Sequence, residues 1–260
     1  MLLFAAPIFP DLITNEIAMM NHLIEMNAVN KSFGSLVVAN DLTLHVEKGE
    51  ALGIIGPNGA GKSTMFNLMA GVLRADSGKI LFDGNDITSQ SPHERCRNGI
   101  GRSYQIPYPF SKMTVFENLL VGAVYGTGKV ESDCYEDCLR TLRVTGLLPK
   151  ANVLAGSLTL LERKRLELAR AMATKPKLLL LDEIAGGMTE YECGLIVETI
   201  KEIHSQGTTI IWIEHIVHAL MSVVGRMIVL NFGAIIDNGV PAEVMNNPKV
   251  QEVYMGIDIK

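Results

Sequence analysis

Three short stretches of this 260-residue chain carry side chains suited to phosphate chemistry. The first is GPNGAGKST, residues 56–64, which fits GxxxxGK[ST] and stands between the apolar run ALGII and a helical pattern. In such a loop Gly56, Gly59 and Gly61, with Pro57, Asn58 and Ala60 between them, let main-chain N–H groups wrap phosphate oxygens. The N-terminus of the following helix adds its positive dipole end. Lys62 suits β- and γ-phosphates, Ser63 suits a magnesium ion, and Thr64 completes the motif. The second stretch, LLLLDE (178–183), ends a buried strand with two carboxylates. Asp182 is placed to hold magnesium through water, and Glu183 to orient and polarise an attacking water. The third, IIWIEH (210–215), ends another apolar strand in His215. Spacing alone leaves His215 either structural or within reach of a γ-phosphate.

These groups need a scaffold that brings several strand ends to one edge. LIEMNAV (23–29) and LTLHVEKGEALGIIG (42–56) read as strands, the second broken at EKGE. KSTMFNLMAGVL (62–73) has helical spacing, and KILFDGNDI reads as a strand and a turn at Asp83-Gly84. From about 91 to 156 the pattern is mostly helical. Beyond it come a helix (159–174), a strand (177–183), a helix (189–206), a strand (208–215), a helix (216–223) and a strand that folds back at Gly233. Alternating strands and helices with near-continuous apolar runs predict a mostly parallel sheet covered on both faces. The expected fold is α/β, a P-loop NTPase core with an antiparallel β subdomain and a helical insert. Residues 23–260 form its domain, with the helical subdomain over about 92–175.

Composition narrows the function classes. Hydrophobic residues make up 48% and charged residues 20%, as in a globular chain. The net charge of −5 gives no nucleic-acid footprint. No apolar run reaches the ~18–20 residues that span a bilayer. MLLFAAPIFPDLITNE lacks a basic start, contains two prolines and soon meets Asp11 and Glu16, which argues against an export signal. Residues 1–22 read as an N-terminal extension, with Met19 or Met20 as alternative starts. Cys96, Cys134, Cys138 and Cys193 lack zinc-type spacing and read as free thiols in a reducing compartment.

Taken in order, the motifs resemble the nucleotide-binding subunit of ABC transporters from about Leu23 to the end. By that resemblance Phe33 in NKSFG stacks on adenine, and Gln105 in GRSYQ meets magnesium and relays to a membrane subunit. Asp182 and Glu183 are the Walker B pair, and His215 is the switch histidine. GIGRSYQ, PFSKMTVFENLLVG and the ending GVPAEVMNNPKVQEVYMGIDIK are similar to the branched-chain amino acid importer group. Lipopolysaccharide-exporter ATPases share a similar ending. The resemblance implies ATP and Mg2+ as ligands. It also implies two transmembrane permease subunits, a second ATPase subunit and, indirectly, a periplasmic binding protein as partners. The expected location is peripheral, on the inner face of the cell membrane.

Two places depart from the family pattern. Where the family has a glycine-rich signature that touches the partner's ATP, this chain has Leu158, Thr159, Leu160, Leu161 and Glu162. Thr159-x-x-Glu162 is a capping box, so the helix start and its dipole are retained. The leucine side chains obstruct close approach to phosphate, and Glu162 adds a repulsive charge that Arg163 or Lys164 could screen. The segment is thus either an altered signature or a capped helix start without nucleotide contact. After Walker B the chain reads EIAGGMTE, with Ile184 in place of proline and Thr189 in place of Asn or Asp. Both losses concern the partner's nucleotide. The expectation is a heterodimer with one competent site, although a homodimer with two altered sites also fits the sequence. The rival functions are a nucleotide-sensing subunit with little turnover and a soluble, non-transport ABC ATPase.

Overall fold

The computed structural model describes residues 22–255. Residues 1–21 of the expected extension, and Gly256 to Lys260 of the tail, lie outside the described residues.

Two long strands open the fold, β1 (His22–Phe33) and β2 (Leu36–Glu47), paired antiparallel through a hairpin turning at Gly34. With β4 (Ser77–Phe82) and β5 (Asn85–Asp86) they make a four-stranded antiparallel sheet, ordered β2-β1-β4-β5. Between β2 and β4 run β3 (Ala51–Ile55) and helix α1 (Lys62–Met69). Past α2 (Pro92–Asn98) comes β6 (Ile100–Arg102). The helical subdomain is built on α3 (Val115–Thr127), α4 (Tyr135–Val144) and α5 (Leu160–Ala173). The chain then alternates β7 (Leu178–Asp182), α6 (Glu190–Ser205), β8 (Thr209–Ile213) and α7 (Val217–Met221). The hairpin β9 (Arg226–Asn231) and β10 (Ala234–Gly239), then α8 (Pro241–Asn246) and α9 (Pro248–Met255), complete it.

The main sheet has six strands ordered β10-β9-β3-β8-β7-β6. β9, β3, β8, β7 and β6 are parallel neighbours, and β10 is an antiparallel edge. Every residue of β3, β7 and β8 is buried, as their near-continuous apolar sequences require of strands covered on both faces. Parallel strands place their C-terminal ends on one edge, and ligands of open α/β sheets bind there.

Three apolar cores hold the layers. One packs α1, through Met65, Phe66, Leu68 and Met69, between the antiparallel sheet and one face of the main sheet. The second covers the other face with α6 and α7 around the fully buried Trp212. The third is confined to 115–173, joining Leu119, Cys138, Leu142, Leu158, Leu166 and Ala169. It lies inside the expected 92–175 interval.

Residues 100–102 differ from the helical reading of the middle region, because Ile100 to Arg102 pair in register with Leu178 to Leu180. The preceding helix α2 also belongs with the main body. Its Arg95 is buried and donates to Leu68 O at 2.6 Å and Met69 O at 2.9 Å, filling carbonyls at the C-terminal end of α1. Desolvation pulls that guanidinium down to about 10.

Candidate nucleotide site and partner-facing segment

The loop between β3 and α1 is shaped by glycine at two points with different causes. Gly56 has φ +152°, and a Cβ there would stand 2.2 Å from Leu230 O, so the close approach to β9 excludes any side chain. Gly59 has φ +82° with open space around it, so its conformation keeps the loop's outer face bare. The loop borders a cleft of about 300 Å3 lined by Leu36, Val38, residues 58–64 and Glu183. Lys62 is buried and its Nζ donates to Gly56 O (2.6 Å) and Pro57 O (3.0 Å). Burial pulls its pKa down, against the attraction of Glu183 and Asp182. The ammonium thus rests on the carbonyls of the loop it would serve with a phosphate bound.

Opposite stands the acidic pair. Asp182 ends β7 and is buried, which pushes its carboxyl up against the hydrogen bond and charge of Arg102. Glu183 follows in a left-handed conformation, φ +45°, which costs a non-glycine residue about 1–3 kcal/mol. Its main-chain N–H donates to Ile213 O at 2.9 Å, tying the turn to the end of β8. The same two strand ends therefore deliver Glu183 and His215. His215 Nε2 lies 2.9 Å from Glu183 Oε1, and Gln105 Nε2 donates to Glu183 Oε2. A carboxylate between an imidazole and an amide is fixed in direction, as a group that orients water must be.

Ser63 lines the cleft with Glu183, Asp182 ends β7 beside it, and Gln105 reaches Glu183 through its amide, so a hydroxyl, a carboxylate and an amide are the candidate metal donors. That is a hard, oxygen-only donor set, which fits magnesium held partly through water. Bound there, the ion would polarise a phosphoryl oxygen. Among the described residues no group of three His, Cys, Asp or Glu side chains forms a metal cluster of its own.

The family model described as "ABC transporter" matches residues 39–186. The chain belongs to the ABC transporter family. A second model, "Branched-chain amino acid ATP-binding cassette transporter", matches residues 238–259 of the cassette. A probable branched-chain amino acid transport ATP-binding protein of Archaeoglobus fulgidus is 36% identical over 90% of this chain and 95% of its own length. A lipopolysaccharide export system ATP-binding protein of Acidithiobacillus ferridurans is 33% identical over 91% and 98%. An ATP-binding cassette of an ABC transporter, solved in its ADP conformation, superposes with a TM-score of 0.83 at 31% identity, covering 91% of this chain and 99% of that one. The cassette is an ATP-binding, ATP-hydrolysing subunit of the kind that energises a membrane transporter. No helix of the described residues is long and apolar enough to cross a membrane.

Phe33 stands half-exposed at the end of β1, with Lys31 Nζ 5.5 Å from its ring centroid. It pairs across the hairpin with Leu36, which lines the cleft beside the loop. A stacking role at the mouth of the cleft is therefore open to it.

The segment at 158–162 is a capped helix start. Thr159 Oγ1 accepts from Glu162 N at 3.4 Å, and Glu162 Oε2 accepts from Thr159 N at 2.9 Å. Leu158 is buried in the helical core, Leu161 packs partly against the second core, and Leu160 is exposed. The partner of Glu162 differs from expectation, since Lys150 forms its ion pair. Arg163 is turned back onto Leu158 O (2.9 Å) and Gly156 O (3.0 Å). Lys164 is buried and donates to Gln105 O at 2.6 Å, with Glu183 O at 3.3 Å. Glu162 thus enters the surface already paired, and two residues further on Lys164 ties α5 to the main chain of Gln105 and Glu183.

After Walker B, Ile184 is fully buried in the second core, which accounts for an aliphatic residue there. Thr189 caps α6 through a capping box with Glu192. A Cβ placed on Gly187 would lie 3.9 Å from Leu160 Cδ2, so the two departures from the family pattern adjoin on one surface.

Three side-chain roles here escaped sequence reasoning. Arg102 pairs with Asp182 at 3.0 Å, and Lys164 holds the main chain of Gln105 and Glu183. Glu214 is buried and accepts from Ala185 N (3.0 Å) and His215 N (2.9 Å), fixing the segment after Glu183 and the end of β8. The only sequence signal was their adjacency to motif residues.

Proposed function

We propose that this cassette binds Mg2+–ATP with the loop from Gly56 to Thr64, Phe33 and Gln105, and that Glu183 activates the hydrolytic water with His215 beside it. It energises import of branched-chain or chemically related amino acids, on the inner face of the cell membrane, against two permease subunits fed by a periplasmic binding protein. The substrate class rests on the match of residues 238–259 and on the names of the relatives. The two-sided site supports a second, different cassette as the dimer partner. Lys62, Ser63, Gln105, Asp182, Glu183 and His215 form a full set for this chain's own nucleotide. The leucine-bearing signature and the altered segment after Walker B adjoin on the surface offered to the partner's nucleotide. Such a pair has one competent site, built from this chain's loop and the partner's more regular signature.

That adjacency carries the reading. Native mass spectrometry of the transporter assembled with its permeases tests it. One copy of this chain per complex is expected, and two copies would overturn the unequal pair. Uptake of radiolabelled leucine into proteoliposomes checks the substrate class. A nucleotide sensor with little turnover is favoured by the altered partner-facing surface alone, and negligible ATPase activity of the assembled complex would establish it instead.

A further inference from the structure

Arg102 touches three parts of the cassette at once. At the end of β6 its side chain is nine-tenths buried, with Nη2 3.0 Å from Asp182 Oδ2 and Nη1 2.6 Å from Asn67 Oδ1 on α1. The guanidinium carbon lies 5.7 Å from the Phe66 ring centroid and 5.0 Å from that of Tyr104. Its Nε is buried without a hydrogen-bond partner among the described residues. Side-on bidentate pairing would use that donor, so the guanidinium is held on Asp182 by one bond and on Asn67 by another.

Arg102 also lines a groove of about 340 Å3 between the main body and the helical subdomain, shared with Tyr104, Glu167 and Arg170. Glu167 is a second buried carboxylate in that wall, with Arg170 Nη1 at 3.4 Å. Asp182 is the carboxylate assigned above to the metal. Lys62 and Lys164, two further cations near it, spend their hydrogen bonds on main-chain carbonyls. A fixed positive charge on a metal-bearing carboxylate opposes a divalent ion strongly at the effective dielectric of a protein.

We propose that Arg102 is a positioning residue that occupies Asp182 as a stand-in cation, and that its withdrawal toward Glu167 in the neighbouring groove accompanies loading of the metal with nucleotide. This keeps a buried carboxylate paired in both conditions. It also makes metal affinity depend on a side chain outside the nucleotide cleft. The proposal rests on the assignment of Mg2+ to Asp182.

The test is the metal-dependent gain in nucleotide affinity, the ratio of the Kd for fluorescent TNP-ATP in EDTA to that in Mg2+, measured on the full chain. A merely structural role changes both constants alike and leaves the ratio fixed. For Arg102→Gln the ratio is expected to rise about tenfold, since a competing charge has gone. For Glu167→Gln it is expected to fall about threefold, since the withdrawn guanidinium loses its acceptor. Should Arg102→Gln fail to fold, Glu167→Gln carries the test alone. A ratio unchanged or lowered in Arg102→Gln, or unchanged in Glu167→Gln, overturns the proposal while leaving magnesium at Asp182. A wild-type ratio of one overturns the magnesium assignment, and the proposal with it.

Discussion

Two surfaces of this cassette, its own cleft and the start of α5, hold their polar groups in opposite ways. Around its own cleft, the ends of β3, β6, β7 and β8 converge, and each contributes a polar side chain with a defined partner. Lys62 rests on loop carbonyls, Asp182 on Arg102, and Glu183 between His215 and Gln105. At the start of α5, by contrast, the polar groups are consumed locally. Thr159 caps its own helix and Glu162 is occupied by that cap and by Lys150, while Leu160 faces outward. The first surface is preorganised for a ligand that carries charge. The second keeps the helix dipole but presents it behind an apolar side chain. Such an edge therefore depends on long-range convergence, whereas a helix start can be rebuilt within five residues without disturbing the fold.

The sharpest way to break this contrast is at Lys62. Lys62→Ala should weaken TNP-ATP binding about a hundredfold, because a charge-assisted donor is lost at the phosphates. Unaltered binding would show that the loop is not the phosphate cradle. On the other surface the expected effects are smaller. Restoring glycines in Leu160→Gly/Leu161→Gly should raise the ATPase rate of the assembled complex about two- to tenfold if the leucines obstruct the partner's nucleotide. It should also lower stability by about 1–2 kcal/mol, since glycine disfavours a helix. A destabilised variant with an unchanged rate would mean that the segment is only a helix start. Smallest of all, Thr159→Ala should cost about 1 kcal/mol in thermal or urea unfolding through loss of the cap, with nucleotide binding to this chain intact. A loss of binding in that variant would join the two surfaces that the structure separates.

The same contrast explains what could be read from the sequence. Residues 56–64 and LLLLDE are contiguous, so the chemistry and its supporting strands share one window of sequence. The capping box at Thr159 and Glu162 was legible for the same reason. β6 was not, because Ile100 to Arg102 is too short for a period and its Gly101 carries no side chain to signal burial. Arg102 became recognisable only once β6 was laid beside β7, 80 residues later in the chain. Lys164 and Lys150 show the limit in another form. Neighbours in sequence suggested Arg163 or Lys164 as the partner of Glu162, but helix geometry turns Lys164 inward to Gln105, and a preceding turn supplies Lys150. Ion pairing follows proximity in space, and charge spacing along a chain fixes that only within a helix. Thr189 and Ile184 read as losses because they depart from a pattern. Their places as a helix cap and a core residue show what the local fold gained instead.

The central claim is that this chain's own site hydrolyses ATP within an unequal pair. The direct measurement is the ATPase rate of the reconstituted transporter carrying Glu183→Gln, with nucleotide binding measured in parallel. Loss of a positioned general base is expected to lower the rate about 10²- to 10³-fold while TNP-ATP affinity stays within about twofold of the native value. A rate equal to that of the native complex would contradict the claim, because hydrolysis would then belong to the partner's nucleotide.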